Sequence, residues 1–117
     1  MAFPGTYNFN YYRGDTSQFV IRPKTANGVA FDLTGYTAIF TIATSRLPGA
    51  TQYSNAQGIT AVVNATTDIV TCTITPAGGN LLSAGTYVYD VQITDGTQVY
   101  TLLTGSITVT NDITGAA

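Results

Sequence analysis

Short runs in which β-branched or aromatic side chains alternate with Thr, Ser or Asn recur along the whole chain, punctuated by Gly, Asn, Asp and Pro. A period of two is what a strand buried on one face requires, and runs at this spacing point to a sandwich or barrel. Composition closes off the helical alternative: the chain has 22 Thr and 8 Tyr but one Met and no Glu, so strong helix formers are scarce. At 117 residues it has the length of one domain, and such a chain buries roughly two thirds of the surface it exposes unfolded. We therefore expect a single domain over 1–117, with 1–12 as a candidate N-terminal arm and 111–117 as a loose tail.

Along the chain, residues 7–12 mix aromatic and polar side chains, Arg13-Gly14-Asp15 turns, and 18–23 is the next run. Asn-Gly supplies the positive φ angles of a tight hairpin, so Ala26-Asn27-Gly28 is expected to join 18–23 to a strand at 29–33. Residues 36–44 put Tyr36, Ala38, Phe40 and Ile42 on one face. The stretch 45–57 carries Pro48, Gly49 and an isolated Tyr53; long for a hairpin connection, it reads as the main variable loop. Residues 59–64 and 69–75 pair around Ala65-Thr66-Thr67-Asp68, with Val70, Cys72 and Ile74 toward the core. The one helical piece centres on Asn80-Leu81-Leu82-Ser83; too short to stand alone, it is a crossover whose leucines plug one end. Residues 86–94 turn Tyr87, Tyr89, Val91 and Ile93 inward, and Asp95-Gly96 leads into 98–103. Gly105 interrupts a run that continues through 106–110, as a bulge or bend would. The sum is an all-β fold, an immunoglobulin-like antiparallel β-sandwich of seven to eight strands.

Much chemistry is excluded. Four Lys+Arg against six Asp+Glu are too few cations to neutralise phosphates, so no nucleic-acid partner is expected. No run of apolar residues is long enough to span a bilayer, so no membrane partner is expected either. The N-terminus MAFPGTYNFN lacks the basic and apolar stretches of a signal peptide, and synthesis in a reducing cytoplasm is the expectation. With one Cys and no His, neither an intramolecular disulfide nor a Cys/His zinc site can be built. Cys72 reads as a buried structural thiol.

Without His or Glu, general-base chemistry falls to six Asp, of which Asp15, Asp32, Asp68, Asp95 and Asp112 lie in turns, where carboxylates cap local backbone. No D-x-D-x-D-G calcium loop occurs. No catalytic, metal or cofactor-binding residue is assigned, no cofactor is expected, and the chain is read as no enzyme. Arg13-Gly14-Asp15 spells an integrin-binding tripeptide and Asn64-Ala65-Thr66 a glycosylation sequon; both are read as turns.

Surface chemistry remains. Exposed tyrosines are frequent interface anchors, which makes Phe3, Tyr7, Phe9, Tyr11 and Tyr12 of the arm and Tyr53 of the loop candidate interface residues. Tyr11, Tyr12 and Tyr53, expected to be exposed, also underlie a rival reading as a carbohydrate-binding or adhesin-type module, where they would stack on a glycan; the absence of Trp weighs against it. Pairing of 7–12 with its own sheet is the simpler alternative to crossing onto a neighbour. With one Lys to guard its edge strands, the chain is expected to form a homo-oligomer or symmetric assembly.

The run Leu82-Ser83-Ala84-Gly85-Thr86-Tyr87-Val88-Tyr89 resembles the Asp-x-Gly-x-Tyr-x-Cys corner of immunoglobulin domains, with Tyr89 where the disulfide Cys would stand. The resemblance implies a tyrosine corner, the Tyr87 hydroxyl bonding back to upstream backbone. A wider order of motifs follows: Gly14-Asp15-Thr16, then Phe31-Asp32-Leu33-Thr34-Gly35, Ala84-Gly85-Thr86-Tyr87-Val88-Tyr89-Asp90 and Thr101-Leu102-Leu103-Thr104-Gly105. Over residues 7–110 this is similar to the immunoglobulin-like structural domains of tailed bacteriophages, including the N-terminal domain of baseplate upper proteins and tail-fibre modules. It implies a non-enzymatic virion component that docks on other virion structural proteins of the tail, baseplate or fibre. The sequence shows no receptor-binding or coiled-coil extension, so capsid decoration or a head-fibre role is the expected alternative.

Overall fold

The computed structural model describes residues 5–25, 27–54 and 58–111. Phe3, Ala26, Asp112 and all of the expected tail except Asn111 lie outside them. The described strands are β1 (Gly5–Thr6), β2 (Phe9–Tyr12), β3 (Ser17–Ile21), β4 (Thr37–Ala43), β5 (Gln52–Tyr53), β6 (Ile59–Asn64), β7 (Ile69–Ile74), β8 (Gly85–Thr94) and β9 (Val99–Thr110), with a four-residue helix α1 (Pro76–Gly79) between β7 and β8. One sheet runs β1-β9-β8-β4-β5 with β2 also on β9, and the other runs β3-β7-β6. The protein is an all-β sandwich of two sheets.

The alternation read from sequence sets which faces meet. Tyr87, Tyr89, Val91 and Ile93 of β8, Phe40 and Ile42 of β4, and Val70, Cys72 and Ile74 of β7 are all buried. They share one core with Ile59 of β6 and with Leu102, Ile107 and Val109 of β9. Each such apolar side chain stabilises the fold by about 1.5–3 kcal/mol relative to an exposed one. Phe19, Phe40 and Tyr89 bridge the two sheets edge to face, at centroid distances of 5.5 Å (Phe19–Phe40), 5.5 Å (Phe40–Tyr89) and 6.1 Å (Phe19–Tyr89). Leu33 and Leu82, both with no exposed surface, close opposite ends of the sandwich.

The sheets are not wholly antiparallel, and among the described residues the strands number nine rather than seven or eight. β1 and β2 run parallel to β9 in one register, Gly5 opposite Leu103 and Phe9 opposite Ile107. The turn after Tyr12 carries the chain to the other sheet at the end where β9 also finishes, which forces β2 and β9 to run the same way. Residues 29–33 form no strand. The Asn27-Gly28 turn closes a single bridge, Lys24 to Ala30, because Val29 and Ala30 are exposed and have no face to bury. The 45–57 loop contains β5, which pairs with Ile42 and Ala43.

The helix starts earlier than expected. Thr75 caps it by accepting the Gly78 N–H at 3.1 Å, and Pro76 opens it, a favoured first helical position. Residues 80–83 are turn rather than helix, and of the two leucines only Leu82 plugs the core while Leu81 is exposed. The bulge lies at Leu102, since Val91 pairs with Leu103 but Gln92 with Thr101. Gly105 continues the ladder opposite Tyr89. Its role is close approach: a Cβ there would collide with the Tyr7 carbonyl.

Candidate functional site

The arm expected to reach a neighbour is stitched to its own sheet throughout its described length. Tyr7 N–H donates to the Thr104 carbonyl at 3.0 Å, the Tyr89 hydroxyl donates to the Tyr7 carbonyl at 2.6 Å, and Ser106 N–H donates to Asn8 Oδ1 at 2.9 Å. Tyr7 and Asn8 therefore bridge β1 and β2 without breaking register. Phe9 is half-buried, 5.5 Å from both the Phe19 and Tyr89 rings.

Tyr11, expected at the surface, is 2% exposed. A strand on a sandwich edge still turns alternate side chains inward, and Tyr11 lies over Gly79, where any Cβ would strike its ring. Its hydroxyl donates to the Asp15 carbonyl at 2.6 Å, and burial pushes its pKa up. Tyr53 is also corrected: pairing of β5 with β4 holds it half-buried, its ring edge-on to Tyr87 at 6.4 Å. Of the six candidates only Tyr7 and Tyr12 are exposed among the described residues; Phe3 lies outside them.

The turn motifs have local work. Asp15 N–H donates to the Tyr12 carbonyl at 3.0 Å across Gly14 at φ 88°, the positive value this turn position demands. The Arg13 guanidinium donates to the carbonyls of Leu82 (2.8 Å) and Asn80 (2.7 Å), tying that turn to the 80–82 segment. Asn64 Oδ1 accepts from Thr66 N–H at 3.1 Å in the β6–β7 turn. Tyr87 makes the corner bond, its hydroxyl accepting the Ser83 N–H at 2.9 Å. Cys72 is fully buried, and desolvation pushes its thiol up to about 12.

The feature that sequence reasoning missed lies on the outer face of the larger sheet. After β4 the chain folds back on itself, with Thr44 N–H donating to the Thr51 carbonyl at 3.1 Å. The Arg46 side chain reaches across β8, donating to the Tyr89 carbonyl (3.2 Å), Thr104 Oγ1 (2.6 Å) and the Gly105 carbonyl (3.2 Å). Between this loop and the sheet is a groove of about 480 Å³, with Thr41, Gln52, Asp90 and Gln92 among its polar lining and Leu47 and Pro48 on its rim.

Asp90 is the one Asp on a strand among those described. It occupies an outward position of β8 between Thr41 and Thr104. Burial raises its pKa, and Arg46 partly offsets that. The signal was available: carboxylates are depleted from strands, and Asp90 alternates with Val88 and Gln92 on the outward face.

No family model and no curated protein matches this chain. Among the described residues, no three His, Cys, Asp or Glu side chains gather where they could hold a metal ion.

Proposed function

We propose that this chain is a non-enzymatic docking module of a bacteriophage virion, immunoglobulin-like in fold and belonging to the tail, baseplate or fibre side. The observation that carries docking is the outer face of the smaller sheet, which bears no charge on its strands. Gln18, Thr73 and Thr60 form one cross-strand row, and Val20, Thr71 and Val62 the next, with Val20 and Val62 exposed. β6 pairs only with β7 among the described residues, and no Lys or Pro interrupts its free edge. An edge left bare in this way is a template for a neighbouring protein.

The strand order supports the immunoglobulin-like reading, because β3-β7-β6 facing β9-β8-β4-β5 is the two-sheet arrangement of that architecture, with the Tyr87 corner at the start of β8. The phage assignment rests on the order of motifs from Gly14-Asp15-Thr16 to Thr101-Leu102-Leu103-Thr104-Gly105. Capsid decoration remains the variant of this reading, and the glycan-binding alternative loses the buried Tyr11 and the half-buried Tyr53 as stacking platforms.

The test is immunogold electron microscopy of particles from the strain that encodes the chain, using antibody raised against it. Label on the tail, baseplate or fibres is expected. Label on the head moves the assignment to decoration, and particles without label and without the chain by mass spectrometry overturn the reading.

A further inference from the structure

The groove on the larger sheet holds a carboxylate whose surroundings are unfinished. Among the described residues no hydrogen bond reaches the Asp90 carboxylate; burial raises its pKa and the Arg46 charge offsets that only in part. No buried side-chain oxygen of the described residues lacks a partner, so the Asp90 oxygens reach solvent through the groove. Among the described residues Arg46 is the only other charged side chain lining it, and its guanidinium is held by the Tyr89 carbonyl, Thr104 Oγ1 and the Gly105 carbonyl. Gln52, Gln92 and Thr41 add neutral acceptors around the same space.

A partly desolvated anion that Arg46 offsets only in part, and that has no hydrogen-bond donor from the protein, gains most from an ionised donor, since charge-assisted hydrogen bonds are roughly twice as strong as neutral ones. The rim extends the contact beyond a single ion. Leu47, 73% exposed, and the exposed Pro48 both line it.

We propose that this groove receives a lysine or arginine side chain of a protein partner, with Asp90 as its counter-ion and Leu47 and Pro48 covered by the residues flanking it. This rests on the reading of the chain as a docking module and names the chemistry of the partner. The apolar rim is what distinguishes a protein-borne cation from a free amine, and the desolvated charge is what distinguishes it from a polyol.

The test is an NMR titration of the whole chain with Nα-acetyl-arginine amide as probe, with methyl glucoside and Nα-acetyl-glutamate amide run in parallel. Saturable shifts at the Thr41, Asp90 and Gln92 amides are expected for the arginine probe, with at least tenfold weaker binding in Asp90→Asn. Wild-type binding should also fade as acid protonates Asp90, at a higher pH than an unburied Asp would need; this arm needs no variant to fold. Equal binding by Asp90→Asn, or equal binding of the glucoside, overturns the proposal. Absence of immunogold label alongside Asp90-dependent binding overturns the virion reading alone, whereas labelled particles with no such binding overturn the groove alone.

Discussion

Gly105 has no room for a methyl group, because the Tyr7 carbonyl crosses over its Cα. Elsewhere in a strand, replacing Gly by Ala gains stability by reducing unfolded-state freedom; here the added carbon must push β1 off β9. Gly105→Ala is expected to cost about 2 kcal/mol, in the range of overpacked sites, read as a lower urea midpoint and faster amide exchange at Tyr7. An unchanged midpoint would mean that the arm is not held against β9. Cys72 supplies a residue-scale pH dependence. Its thiol titrates at about 12 when folded against an ordinary 9.0, so between those values the unfolded chain binds fewer protons than the folded one. The thiol's contribution to stability is therefore full below pH 9 and is lost as pH rises toward 12. Cys72→Ala should flatten that part of the profile, measured as midpoint against pH, and the native thiol should resist alkylating reagents at pH 8.

At the scale of elements, the arm and the loop-to-loop bonds decide what can be removed. Deleting residues 1–12 strips Tyr11 and Phe9 from the core as well as β1 and β2 from the sheet. Loss of one buried aromatic side chain typically costs about 3–5 kcal/mol. The truncated chain should unfold at much lower denaturant, so a change in its mass would report instability rather than a lost interface. Asp68 makes a gentler probe. Its carboxylate accepts the Leu33 N–H at 3.1 Å, joining the β6–β7 turn to the segment before β4. Asp68→Ala should cost about 1–2 kcal/mol by leaving that N–H without its partner, and Asp68→Asn, which keeps an acceptor and tolerates the positive φ of 54°, should restore most of it; equal loss in both would assign the effect to the carboxylate's charge instead. The sequence made β4, β7 and β8 legible because their alternation records a buried face directly. It did not make the arm's parallel pairing legible, since the partner of β2 is set by where the chain crosses between sheets. Nor did it reveal the groove around Asp90, which exists only because the residues after β4 fold over β8 and anchor through Arg46. Tyr11 and Tyr53 were misplaced for the same reason: exposure was inferred from their position near a chain end and in a loop, while non-local pairing buried one and half-buried the other.

At the scale of the whole molecule, charge and edges act together. A formal net charge of −2 and a sequence pI near 4.4 give copies of the chain little mutual repulsion, and least of all near the pI. β6 offers its free edge and exposed Val62 to any copy that approaches. Because an edge strand can pair antiparallel with itself about a twofold axis, such contact closes as a dimer and does not propagate. Light scattering should therefore show a mass that rises with concentration toward twice that of the chain, more strongly at pH 5 than at pH 8. Val62→Lys places a charge on that edge, where two copies would oppose like charges, and should hold the protein monomeric. Val29→Lys is the matched control: Val29 is as exposed as Val62 (63% against 62%), and the substitution changes net charge by the same amount but lies in the turn after β3, away from the edge. Association lost in both variants would trace it to net charge, whereas loss only in Val62→Lys would assign it to the β6 edge.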